Sequence, residues 1–128
     1  MAAYTQNDKG FTLIELLVAM TIIALLLSIV VPRYFHSVTK AEEAVLKEDL
    51  HLIRDALDKY HADTGAYPGA LDDLVSKRYL RKIPVDPVTQ SANTWILIPP
   101  SNGEKGALFD IKSGASGNAS DGSAYSSW

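Results

Sequence analysis

One apolar run constrains this chain more than any other feature. It extends from Phe11 to Val31 and contains a single charge, Glu15. Its length matches the roughly 20 residues that a transmembrane helix needs. A carboxylate inside such a helix costs roughly 2.5–3.5 kcal/mol on insertion scales, so it is expected to have a partner and a purpose. No basic residue lies within a turn or two on its C-terminal side. The partner is therefore expected to come from outside the apolar helix. An ordinary secretory signal has a shorter apolar core, about 7–15 residues, followed by small residues at a cleavage site. Ser28 to Arg33 offers no such pattern. A plain signal anchor fits the run but assigns Glu15 no role.

A cut between Gly10 and Phe11 supplies a partner. It removes the polar leader Met1 to Gly10 and leaves Phe11 with a cationic α-amino group. Glu15, four residues on, is then close to its own N-terminus and equally placed to meet the Phe11 amine of a neighbouring copy. Opposite unit charges 4 Å apart attract by roughly 4 kcal/mol at an effective dielectric near 20, which offsets the insertion cost. Pairing between copies implies self-assembly.

The residues Lys9-Gly10-Phe11-Thr12-Leu13-Ile14-Glu15 resemble the class III signal motif of type IV pilins and of type II secretion pseudopilins. The resemblance implies cleavage after Gly10 by an inner-membrane prepilin peptidase, N-methylation of Phe11, and alignment of subunits through Phe11 and Glu15. Pro32 falls where that family places a helix-softening proline. A bend or local melting is expected near residues 28–33, because proline removes one helical hydrogen bond and crowds the preceding turn.

The 128 residues leave room for one transmembrane helix and one small domain. A net charge of −3, with no dominant basic face, argues against a nucleic-acid partner. Lys77-Arg78 and Arg81-Lys82 read as a solvated face or a subunit contact. Flanking charge gives little topological bias, since Asp8 balances Lys9 while Arg33 and Lys40 follow the run. Orientation therefore rests on the motif, with the leader cytoplasmic and residues 33–128 outside. There is no cysteine, which excludes the disulfide staple common in small exported domains and departs from many type IV pilins.

Four regions are expected: a cleaved leader over 1–10, a transmembrane helix over 11–32, an amphipathic helix over 33–62, and a small α/β domain over 63–128. In the second helix, Val38, Ala41, Val45, Leu52, Ile53, Ala56, Leu57 and Tyr60 recur at three-to-four spacing. Glu43–Lys47 and Asp55–Lys59 are expected surface pairs, acid first. Asp63-Thr64-Gly65-Ala66-Tyr67-Pro68 ends the helix and is similar to the family's D-x-G-x-Y-P turn. Ala70–Ser76 reads as a short helix. Tyr79 to Pro87 reads as extended and resembles the family's P-x-D-P segment. Thr94–Ile98 and Ala107–Ile111 read as an antiparallel hairpin around an Asn-Gly turn. Ser113–Ser127 reads as a loop pinned by Trp128 and Tyr125. The fold class is thus α+β: a long N-terminal helix, half transmembrane and half amphipathic, packed on a small antiparallel sheet with a C-terminal loop, a pilin-like fold.

Enzymatic chemistry finds no support. His51 and Asp55 share a helix face, but a third ligand is missing, with His61 and His36 elsewhere. No nucleophile elbow or phosphate loop is present. Gly106 to Gly117 is similar to the ending of the major, G-type pseudopilin, whose loop binds one Ca²⁺. Here Ser116 stands where aspartate is usual, and Ala124 replaces another. The donors left are Asp110, Asp121, Ser113 and Ser116, with Asn118 and carbonyls. Calcium takes six to eight oxygens and binds more tightly as more of them are charged, so one or two carboxylates make a weak cage and no cofactor is expected.

The resemblance implies a structural subunit of a membrane-rooted helical filament, the pseudopilus of a type II secretion system. The implied partners are further copies of the chain, minor pseudopilins, an inner-membrane assembly platform and the prepilin peptidase. The implied location is the bacterial inner membrane, crossed once, with the C-terminal domain periplasmic and the filament periplasmic or extracellular. Two alternatives stay open: a type IV pilin of a surface pilus for adhesion, motility or DNA uptake, and a monomeric membrane-anchored binding domain.

Overall fold

A computed structural model describes residues 10–101 and 103–128. Apart from Gly10, the leader lies outside the described residues. The chain divides into two compact units, Met1–Ser37 and Val38–Trp128. Helix α1, Leu13–Thr64, contributes to both. It is helical through Pro32, so of the bend or local melting expected at 28–33 the melting is not seen.

Within the described part of the first unit, every residue is exposed. The apolar side chains from Phe11 to Phe35 therefore form a continuous unburied surface, far beyond the isolated apolar residues a water-facing surface carries. The helix is long and apolar enough to cross a membrane. Its two central hydroxyls are satisfied internally: Thr21 Oγ1 donates to the Leu17 carbonyl and Ser28 Oγ to that of Leu25. A lipid environment requires such internal pairing of polar groups.

The second unit is built on the remainder of α1. Leu46, Leu50, Ile53 and Leu57 are essentially inaccessible and recur at four, three and four residues, a single helical face. Ile53, Ala56 and Leu57 of the expected stripe are buried, with Tyr60 packed against them, but its earlier part is shifted. Val38, Val45 and Leu52, spaced by seven, remain exposed, whereas Leu46 and Leu50 take the core. The core closes with Leu71 and Leu74 from α2 (Leu71–Ser76), together with Leu80, Trp95, Leu108 and Ile111. Asp73 steadies the start of α2 by accepting from the amides of Gly69 and Ala70.

Strands β1 (Ile96–Ile98) and β2 (Asp110–Lys112) pair antiparallel, with Leu97 opposite Ile111. The second strand begins later than its sequence suggests. Ala107 and Leu108 donate instead to the Pro68 carbonyl, and Tyr67 donates to that of Lys105. The Tyr67-Pro68 turn thus occupies the backbone that would have lengthened the hairpin. Gly65 ends α1 in a left-handed conformation (φ 76°), its amide bonded to the His61 carbonyl. Of the Asn-Gly turn, Asn102 lies outside the described residues and Gly103 has φ 72°. The last segment closes with a single 3-10 turn, Tyr125–Ser127.

Candidate functional site

The N-terminal constellation is built by the start of α1. Thr12 precedes the helix, and its hydroxyl accepts from the Glu15 amide at 3.3 Å, while Glu15 Oε2 accepts from the Thr12 amide at 3.4 Å. This reciprocal arrangement is a capping box, a Ser or Thr three residues before a Glu. Glu15 therefore has a local, neutral partner, and the Thr-x-x-Glu spacing announces it. Both bonds are long and exposed, and a carboxylate accepts about four. Capacity remains for a cation at the same oxygens. Phe11 is 87 % exposed one residue before the cap, and the Gly10–Phe11 junction is exposed as well. Pro32 lies within the helix, its side chain at the surface.

The C-terminal candidates are drawn into separate contacts. Asp110 Oδ1 accepts from Arg54 Nε at 2.9 Å and from the Ile111 amide at 2.7 Å. Asp121 Oδ1 accepts from the amide and hydroxyl of Ser123. Ser113 is fully buried and donates to Asp86, while Ser116 is exposed. These oxygens do not fit a calcium cage, because Arg54 already compensates one carboxylate and Ser113 is committed to another. Among the described residues, no group of three or more His, Asp or Glu side chains is placed to hold a metal. His51 is exposed, and Asp55 pairs with Lys59 at 2.9 Å, as expected. His61 stacks on Tyr67, 4.2 Å between ring centres.

Two buried carboxylates organise this end of the chain. Asp86 is wholly inaccessible and accepts from the amides of Val88 and Thr89 as well as from the Ser113 hydroxyl. Glu43, only 8 % exposed, does not meet Lys47 as expected. Its Oε1 accepts from the Ser120 amide (2.7 Å) and the Tyr125 hydroxyl (3.3 Å), and its Oε2 from the Ser120 hydroxyl (2.6 Å). Lys47 lies over the Trp128 ring instead, 4.5 Å from its centre. No local sequence signal marks Glu43, because its partners are 77 and 82 residues away.

The hydrogen bonds from Ser120 hold the Glu43 carboxyl below its ordinary value of 4.5. Burial and the charge of Asp121 oppose them, and the bond from Tyr125 adds to them. The folded group thus titrates below the unfolded one. Its contribution is complete above about pH 4.5 and is lost as pH falls through the depressed folded value. The melting temperature of the wild-type domain is expected to fall on acidification below that point more steeply than that of Glu43→Gln. Parallel melting curves across the same pH series check this.

A family model described as the prokaryotic N-terminal methylation motif matches residues 5–31. The type II secretion system core protein G of Pseudomonas aeruginosa strain PAO1 is 36 % identical, over 88 % of this chain and 87 % of its own length. That of Escherichia coli strain K12 is 31 % identical, over 88 % and 86 %. That of Aeromonas hydrophila is 28 % identical, over 96 % and 94 %. No solved structure gives a significant match.

Proposed function

Because the chain belongs to the family of type II secretion system core protein G, we propose that it is a non-catalytic structural subunit of the pseudopilus, a helical filament rooted in the membrane. The observation that carries this reading is the unburied apolar helix headed by Glu15. A single span anchors the subunit, and Glu15 gives that span an address at one end.

In this reading a prepilin peptidase cuts between Gly10 and Phe11, and Phe11 is then N-methylated. The Phe11 amine of an incoming subunit pairs with Glu15 of a neighbour while both are in the bilayer. The apolar helices bundle in the filament core. The exposed stripe of Val38, Val45 and Leu52, with Val85 also exposed in the same unit, gives neighbouring copies apolar surface to cover. The leader faces the cytoplasm and the C-terminal unit the periplasm. Minor pseudopilins and the inner-membrane assembly platform complete the set of partners.

Deleting the gene in its host tests the function. Exported proteins are expected to accumulate in the periplasm, and the intact gene is expected to restore their release. Normal release accompanied by loss of surface pili would assign the chain to a type IV pilus instead.

A further inference from the structure

The segment that follows β2 has an unusual polarity where it meets α1. The bridge between Asn118 and Ala124, with the Ala119 amide bonded to the Ser123 carbonyl, folds 117–125 into a tight loop. That loop presents hydrogen-bond donors to the helix: the amide and hydroxyl of Ser120 and the hydroxyl of Tyr125. All three converge on the Glu43 carboxylate. A cation site requires the opposite, a set of acceptor oxygens turned toward one point. Lys47 and Arg54, four and eleven residues beyond Glu43, extend the same helical face. Lys47 covers the Trp128 ring, and one Arg54 Nη donates to the backbone oxygens of Ile111 and Trp128.

We infer that the C-terminal segment 117–128 is fastened to the helix by Glu43, flanked by Lys47 and Arg54, and keeps its fold without calcium. The helix carboxylate takes the organising role that a bound cation would otherwise have, with the charge reversed and the loop's donors facing it. Replacing that carboxylate by the glutamine amide turns one of the two oxygens that accept from Ser120 into a donor, and the loop is released while the core of Leu46, Leu50, Ile53 and Leu57 stays in place.

The test uses the full chain in detergent micelles. Thermal unfolding is followed by near-UV circular dichroism and release of the loop by chymotrypsin cleavage after Tyr125. Both are measured in EGTA and in calcium at about 5 mM, above the ~10⁻³ M of the weakest calcium modules. Wild-type melting and cleavage are expected to be the same in the two conditions. Glu43→Gln is expected to lower the melting temperature by roughly 4–8 °C and to speed cleavage, with no rescue by calcium. Ser120→Ala, which keeps the backbone bond, is expected to show a smaller shift in the same direction. It keeps the test decisive if Glu43→Gln does not fold. A wild-type melting temperature raised by calcium would overturn the inference, as would Glu43→Gln or Ser120→Ala cleaved no faster than the wild type.

Discussion

Asp86→Ala is expected to destabilise the unit 38–128 by about 3–5 kcal/mol, a large share of the roughly 5–15 kcal/mol typical of a folded domain. The carboxylate is wholly inaccessible and accepts from two amides and one hydroxyl. Hydrogen bonds to a charged group contribute roughly 1.5–3 kcal/mol each, but the substitution also removes the several kcal/mol that burying the carboxylate costs, which offsets part of their sum. The bonds also tie the 86–91 turn to the chain after β2, since the Ser113 hydroxyl in turn accepts from the Ala115 amide. Denaturant unfolding followed by the fluorescence of Trp95, whose indole donates to the Pro84 carbonyl beside that turn, measures the loss. Asp86→Asn keeps an acceptor for both amides and is expected to lose less. A second readout is available in Asp49, whose carboxyl is raised chiefly by burial and then by the charges of Asp86 and Glu48. In Asp86→Asn that carboxyl is expected to titrate lower than in the wild type, which an NMR titration detects.

Gly106→Ala is expected to cost about 3 kcal/mol or more, from two independent causes. The backbone at Gly106 has φ 111°, a region that costs other residues roughly 1–3 kcal/mol. A Cβ there would also lie 2.6 Å from the Tyr67 carbonyl carbon and 2.9 Å from the Tyr67 Cβ. Overpacking of this kind costs roughly 1–3 kcal/mol more. Relief would require parting residues 67–68 from 105–108, which breaks three backbone hydrogen bonds. Gly65→Ala is the control: φ is again positive, at 76°, but nothing lies within 4 Å of the added carbon. It is expected to lose roughly 1 kcal/mol. Comparing the unfolding free energies of the two variants separates the steric cause from the conformational one.

Local rules were legible in the sequence wherever no distant partner competed. The apolar span, the Gly65 helix stop, the short α2 and the Asp55–Lys59 pair all follow from spacing within a few residues. The α+β class and the antiparallel hairpin were legible too. Where tertiary contacts compete, local rules lose. Glu43 has Lys47 one turn away yet turns to Ser120 and Tyr125, because burial rewards three donors more than an exposed pair worth roughly 0.2–0.5 kcal/mol. The amphipathic stripe held at Ile53, Ala56 and Leu57 and was displaced before them for a related reason: Val45 and Leu46 are adjacent and both apolar, so period alone does not say which faces the core. At the candidate site, the Gly10–Phe11–Glu15 spacing was legible. The Thr12 cap is equally visible as Thr-x-x-Glu, a spacing that gives the carboxylate a neutral local donor besides any cation.

That cap sharpens what Glu15 must do. Two long, exposed bonds to Thr12 order the first turn of α1, and the carboxylate keeps room for a charged partner from another subunit. Glu15→Ala in the full chain, expressed with its secretion machinery, tests the filament account most directly. Filaments are counted by electron microscopy, while the mass of the mature N-terminus reports cleavage and methylation at Phe11. The variant subunit is expected to be inserted, cleaved and folded but not to polymerise, since each lost contact of roughly 4 kcal/mol weakens association on the order of 10³-fold. Filaments of normal number and length from Glu15→Ala would contradict the filament account.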